Sequence, residues 1–136
     1  MIAGIGVDLV DVQRVRRLLE RKGERALRRL FTDGERAYAD THPEPARQLA
    51  ARVAAKEAAF KALAGNALAR SIGWRELEVV ARANRAPLLL LHGRALDRAT
   101  ELGVVRIHLS ITHTDLTAAA FVVTECDERV GTATDP

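Results

Sequence analysis

At 136 residues the chain is long enough for one domain around a single core and too short for several. Apolar residues make up 48% and aromatics only 4%, so the core must be aliphatic, and no apolar run of about 18 residues offers a membrane span. Net charge is +3, yet eight basic residues (Arg14, Arg16, Arg17, Arg21, Lys22, Arg25, Arg28 and Arg29) face only Glu20 and Glu24 in the same stretch. Such a surface suits an acidic partner, whether nucleic acid, anionic membrane or acidic protein, or is a merely solvated helix face. No basic-then-apolar signal pattern opens the chain, and the lone Cys126 has no partner for an internal disulfide, which predicts a cytoplasmic protein.

In chain order, Ile2, Ile5, Val7 and Leu9 predict a strand ending near Asp8. An Asp at a strand end is a ligand candidate, and equally an N-cap or turn residue. Asp11 opens a helix whose Val12, Val15 and Leu19 line one side while Arg14, Arg17 and Arg21 project elsewhere. A short helix is expected over Glu24–Leu30. Thr32 with Glu35 forms a capping box for another, which His42-Pro43-Glu44-Pro45 ends. From Pro45 or Ala46 to Leu63 runs a long helix rich in alanine, stopped at Gly65-Asn66 and followed by a loop to Gly73.

From Trp74 the rhythm turns to strand, with a hairpin across Ala83-Asn84-Arg85 into Pro87–Leu91. A helix over Arg94–Glu101 follows. Val104–Thr112 then alternates cleanly, Ile107, Leu109 and Ile111 on one face and His108, Ser110 and Thr112 on the other. After a turn at His113-Thr114-Asp115 comes a last strand, Leu116–Thr124. The fold class read from this order is α+β, a long central helix packed on a largely antiparallel sheet. One domain is expected over residues 1–125, with a disordered tail at 126–136.

Several site types are excluded. No phosphate loop of the Gly-Lys-Ser/Thr kind is present, Gly4-Ile5-Gly6 lacks the rest of a dinucleotide fingerprint, and no Cys/His set has zinc spacing. Ser71 and Ser110 are the only serines, and neither sits in a nucleophile elbow. His42 and His92 read as loop residues, whereas His113 beside a turn is placed to meet a ligand or to serve structurally. What remains is a set of hard oxygen ligands and cations: Asp8, Glu57, Arg52, Lys56, Lys61 and His113. Glu57 and Lys61, four apart on one helical face, are either functional groups or an ordinary surface ion pair. Two carboxylates suit Mg²⁺ shared with phosphates, and the cations suit the phosphates themselves. Spacing alone does not show that they converge.

Four ordered segments carry a resemblance: Gly4-Ile5-Gly6-Val7-Asp8-Leu9 with Arg14, then Phe31-Thr32-Asp33-Gly34-Glu35, then Arg52-Val53-Ala54-Ala55-Lys56-Glu57-Ala58 with Lys61-Ala62-Leu63, then His108-Leu109-Ser110-Ile111-Thr112-His113. Trp74-Arg75-Glu76-Leu77-Glu78-Val79 adds a fifth. The set resembles the holo-acyl-carrier-protein synthases, the small class of 4′-phosphopantetheinyl transferases. The resemblance implies that fold and a Mg²⁺-dependent transfer of phosphopantetheine from coenzyme A to a serine of an apo acyl carrier protein, releasing 3′,5′-ADP. It implies Asp8 and Glu57 as metal ligands, and Glu57 and Lys61 as catalytic. In this pattern Glu57 removes the serine proton, directly or through a water on the metal. Arg52, Lys61 and His113 are the implied coenzyme A contacts, and Arg14, Arg17 and Arg21 face the carrier protein. A homotrimer with sites between subunits is implied too. Departures are Val53 in place of the usual Phe, Arg85-Ala86-Pro87 in place of Gly-Lys-Pro, and Ala64-Gly65-Asn66-Ala67 in place of a glycine-rich run. Other classes compatible with the residues are a basic-helix nucleic-acid-binding module, which leaves Asp8 and Glu57 without purpose, and an inactive carrier-protein-binding homologue.

Overall fold

The computed structural model describes residues 1–127. The chain runs β1 (Ile2–Asp11), α1 (Val12–Lys22), α2 (Glu24–Leu30), α3 (Asp33–Asp40), α4 (Pro45–Leu63), α5 (Ala67–Arg70), a single 3₁₀ turn (Trp74–Glu76), β2 (Leu77–Ala81), β3 (Pro87–Leu91), α6 (Gly93–Glu101), β4 (Val104–His113) and β5 (Thr117–Cys126). All strand pairing is antiparallel, as expected, but it divides into two sheets. One has the order β1-β5-β4, and the other is the β2–β3 hairpin.

The central helix is buried nearly all round, because alanines at 50, 51, 54, 55, 58, 59 and 62 let neighbours approach from every side. The closest neighbour is β1. A Cβ on Gly4 would lie 2.0 Å from the Ala62 carbonyl oxygen, and one on Gly6 would lie 1.7 Å from that of Ala58. The strand therefore crosses α4 at backbone contact, which only glycine permits. Strand alternation turns Gly6, Asp8 and Val10 toward the helix and leaves Ile5, Val7 and Leu9 exposed on the other side. The register partner of Val7 is Phe121, also exposed. Along β1 and at Phe121 the outer face of the larger sheet is thus apolar and uncovered in the single chain, while β4 gives that face His108, Ser110 and Thr112.

Local signals account for the helix starts. Asp11 accepts from the Gln13 amide at 3.0 Å to cap α1, and the Thr32–Glu35 capping box forms at α3 as read. β1 extends to Asp11 instead of ending near Asp8, because β5 pairs it down to Asp11↔Thr117. The expected loop before Gly73 contains α5, capped by Asn66, whose Oδ1 accepts from the Ala69 amide at 2.9 Å. Trp74–Glu76 is a turn and not the start of a strand, since Glu76 folds back on the Gly73 amide at 2.9 Å. Cys126 is the buried last residue of β5, and its carbonyl accepts from the Met1 ammonium at 3.1 Å, so the domain reaches past 125. The remainder of the expected tail, from residue 128, lies outside the described residues. Among the described residues no helix is long and apolar enough to cross a membrane.

Candidate active site

The backbone contact of β1 with α4 sets Asp8 against Glu57 and Lys61. Lys61 Nζ donates to Asp8 Oδ1 at 3.0 Å and to the Val7 carbonyl at 2.9 Å. It does not pair with Glu57, so the ordinary ion pair along the helix is not what forms. Asp8 Oδ2 is buried and has no hydrogen-bond partner. The two carboxyls titrate as a pair. Burial pushes Glu57 up to about 7, and the neighbouring Asp8 carboxyl adds to the rise while Arg14 and Lys61 oppose it. For Asp8, burial favours the neutral form, but the neighbouring Glu57 carboxyl, the bond from Lys61 and the charges of Lys61 and Arg14 hold its pKa below the usual value. One carboxyl keeps its charge and the other keeps a proton near neutrality.

This pair fits a hard divalent ion. A buried carboxylate oxygen without a donor is an open ligand position, and two oxygens leave room for phosphates and water, as Mg²⁺ prefers. Among the described residues no group of three or more His, Cys, Asp or Glu side chains is placed to hold a metal.

Glu57 and Arg14 open on a cavity of about 110 Å³ whose other lining residues include Val10, Leu18, Leu30, Val53 and Trp74. Leu18 and Trp74 also line an adjoining groove of about 220 Å³, where Leu30 and Ala26 floor a rim of Lys22, Arg25 and Arg29. Arg14, Arg17 and Arg21 are exposed on α1. The site therefore joins a carboxylate pocket to an apolar groove with a cationic edge.

Arg52 and His113 lie elsewhere. Five positions on an α-helix turn about 140°, which separates Arg52 from Glu57. With Tyr38, Gln48, Arg85 and Ile111 they line a cavity of about 190 Å³ that shares no lining residue with the Glu57 cavity. The Arg52 guanidinium sits 4.2 Å over the Tyr38 ring, donates to the Gln48 carbonyl at 3.4 Å, and has its buried Nε unpartnered. Burial lowers its pKa, with Glu35 and Tyr38 opposing. Lys56, read as a possible phosphate cation, is fully buried and faces away from Asp8; it pairs with Glu35 at 2.7 Å. His42 bonds the Tyr38 carbonyl at 2.9 Å and His92 pairs with Glu78 at 2.9 Å, both outside either cavity. Leu18 and Leu30 are site residues that the sequence did not single out, Arg25 and Arg29 were read only as part of the basic surface, and Trp74 only as part of a segment of the resemblance.

The α+β architecture thus brings together a carboxylate pair, a lysine and a basic-rimmed groove. The chain belongs to the 4′-phosphopantetheinyl transferase superfamily, whose sequence profile matches residues 4–123. Within it the chain groups with the holo-acyl-carrier-protein synthases. It is 47% identical over 129 residues to the holo-[acyl-carrier-protein] synthase of Alkalilimnicola ehrlichii, covering 94% of this chain and 100% of that protein. The crystal structure of the holo-[acyl-carrier-protein] synthase of Neisseria meningitidis superposes with a TM-score of 0.81 at 31% identity, covering 92% of this chain and 99% of that one. That of Bacillus anthracis, solved in complex with CoA (3′,5′-ADP), gives 0.74 at 29% identity, covering 93% and 99%.

Proposed function

We propose that the chain transfers the 4′-phosphopantetheine arm of coenzyme A to a serine of an apo acyl carrier protein, with Mg²⁺, in the cytoplasm. The observation that carries this is the Asp8–Glu57 pair, with Asp8 Oδ2 open and Lys61 fixed beside it. Family membership supplies the substrates, and the carboxyls, lysine and groove supply a place for each.

Asp8 and Glu57 would hold Mg²⁺, which when bound offsets charge on the coenzyme A diphosphate. Lys61, anchored by the Val7 carbonyl and Asp8, directs its remaining donor at the same phosphates. The serine Oγ attacks the phosphorus bearing the pantetheine arm; a new P–O bond forms, the phosphoanhydride breaks, and 3′,5′-ADP leaves. Glu57, deprotonated when it serves as a metal ligand, is the route by which the serine proton leaves, directly or through a water. Arg14, with Arg17 and Arg21 a turn apart on α1, presents cations to the acidic carrier protein, and the Lys22–Arg29 groove extends that surface.

Arg52 and His113 contact coenzyme A phosphate in this reading. Because their cavity is separate from the carboxylates within one chain, a single substrate needs two copies. The uncovered Ile5, Val7, Leu9 and Phe121 face beside Asp8 supports association, and the homotrimer with sites between subunits satisfies both requirements.

The test is incubation with coenzyme A, Mg²⁺ and apo acyl carrier protein, read as the phosphopantetheine mass increase on the acceptor. Transfer that disappears with EDTA and in Glu57→Ala is the expected result. No transfer to several acceptors by a folded protein would overturn the reading.

A further inference from the structure

Lys56 stands next to Glu57 on α4 and takes no part in the carboxylate site. Its ammonium has three donors, and the structure gives each a partner. It bonds the Trp74 carbonyl at 2.9 Å, the Leu77 carbonyl at 2.7 Å, and Glu35 Oε1 at 2.7 Å. Trp74 and Leu77 bracket the 3₁₀ turn, so one buried cation grips that turn at both ends. Glu35 is held in its turn, since its oxygens accept from the Thr32 and Val79 amides, both at 2.9 Å. Both side chains are completely buried.

A buried ion pair is a weak means of stabilising a fold, because desolvation cancels most of the attraction. What this pair does is fix one backbone segment, and that segment carries the only tryptophan. The Trp74 ring meets Phe60 edge-on at 5.1 Å between centroids. It also walls three adjoining cavities: the Glu57–Arg14 pocket, the basic-rimmed groove, and a third lined by Phe60, Ala64 and Ile72. No other residue lines all three.

We propose that Lys56, held by Glu35, is a positioning residue that fixes Trp74 as the wall between the carboxylate pocket and the carrier-protein groove, and thereby sets carrier-protein affinity. The carrier-protein part rests on the function proposed above; the positioning part does not. Lys56 touches no substrate. It acts through the turn, and a loosened Trp74 opens the groove floor where Leu18 and Leu30 meet it.

The experiment compares the Glu35→Gln/Lys56→Met double variant with the wild type, in the Trp74 and Trp74→Ala backgrounds. Removing both charges together avoids stranding one of them in the core. Glu35→Asp, which keeps the charge and shortens the reach, serves if the double variant does not fold. Readouts are far-UV circular dichroism, acrylamide quenching of Trp74, and KM for coenzyme A and for apo acyl carrier protein. With the fold retained, quenching should rise at least about twofold, carrier-protein KM should rise about tenfold, and coenzyme A KM should stay within about twofold. In the Trp74→Ala background the same pair should add nothing to the carrier-protein KM, since both changes act through one side chain. Unchanged quenching, or a further tenfold loss in the Trp74→Ala background, would overturn the proposal. Absence of transfer by the wild type would overturn the carrier-protein part with the reading beneath it, while the quenching comparison still decides the positioning.

Discussion

Lys61 bonds Asp8 across the junction of α4 and β1 at 3.0 Å, passing over Glu57 one turn before it on its own helix. Asp8 is thereby held as the charged member of the carboxyl pair, and Glu57 is left as the protonated one.

A pH dependence follows from that division. Glu57 titrates at about 7 in the folded chain against 4.5 for an ordinary glutamate. Its contribution to stability is therefore full below its unfolded pKa and is lost as pH rises toward 7. Asp8 shifts the opposite way, and its contribution fades only in acid, as pH falls below its ordinary pKa. Without metal, Glu57→Gln should melt about 3 °C above wild type at pH 8 and within about 1 °C of it at pH 5, while losing transfer. Equal shifts at both pH values would refute the assignment of the proton to Glu57.

Lys61→Met should lower transfer by about 100-fold with Mg²⁺ present, through kcat more than either KM. The Lys61 side chain is 57% exposed, so the loss of its bond to Asp8 should change stability by less than about 1 kcal/mol. Steady-state kinetics and a thermal melt separate the two effects.

Reversal of charge at Arg14 should act on the acceptor. In Arg14→Glu the carrier-protein KM is expected to rise about tenfold and to fall toward wild type at high salt, with coenzyme A KM changed far less. Equal effects on both substrates would place Arg14 at the carboxylate pocket alone.

Arg85 supplies a test of the second cavity. It holds φ at 66°, in the left-handed region that favours glycine, a conformation that an arginine adopts with strain. Arg85→Gly relieves the strain and loosens the unfolded chain, so the melting temperature should stay within about 2 °C. If the Arg52–His113 cavity receives coenzyme A phosphate, the coenzyme A KM should still rise severalfold, with carrier-protein KM unchanged.

Phe121→Glu places a charge on the exposed sheet face, where the single chain packs nothing against it. The variant should fold, sediment as a monomer and lose transfer. A monomer with full activity would show that one chain completes the site.

The larger features were legible because they rest on local physics. Alternation over Val104–Thr112 fixed the faces of β4, and the Thr32-x-x-Glu35 spacing marked α3. Asp8 and Glu57 were legible as chemistry but not as neighbours, since their meeting depends on Gly4 and Gly6 admitting α4 to the strand backbone. Glu35 was read as half of a capping box, and nothing in a capping box says that its second oxygen receives the Val79 amide inside the core. Lys56 misled for the complementary reason. An alanine-rich helix buried all round has no polar face to say which of its charges meet water. Trp74 was quoted in a segment of the resemblance but given no role, because a wall shared by three cavities exists only once α1, α2, α4 and the 3₁₀ turn are assembled.

The pairing of β1 with β5 has a kinetic consequence. Residues 2–11 find their strand partners at 117–126, so the larger sheet cannot close on β1 until almost the whole described chain is present. Contacts so distant in sequence form late and slowly. During synthesis Asp8 is made before every helix described, and it waits for β5 before β1 is fixed against the helix carrying Glu57. Catalytic competence and completion of the fold are then one event, and a chain stopped before β5 has every proposed catalytic residue and no catalytic site.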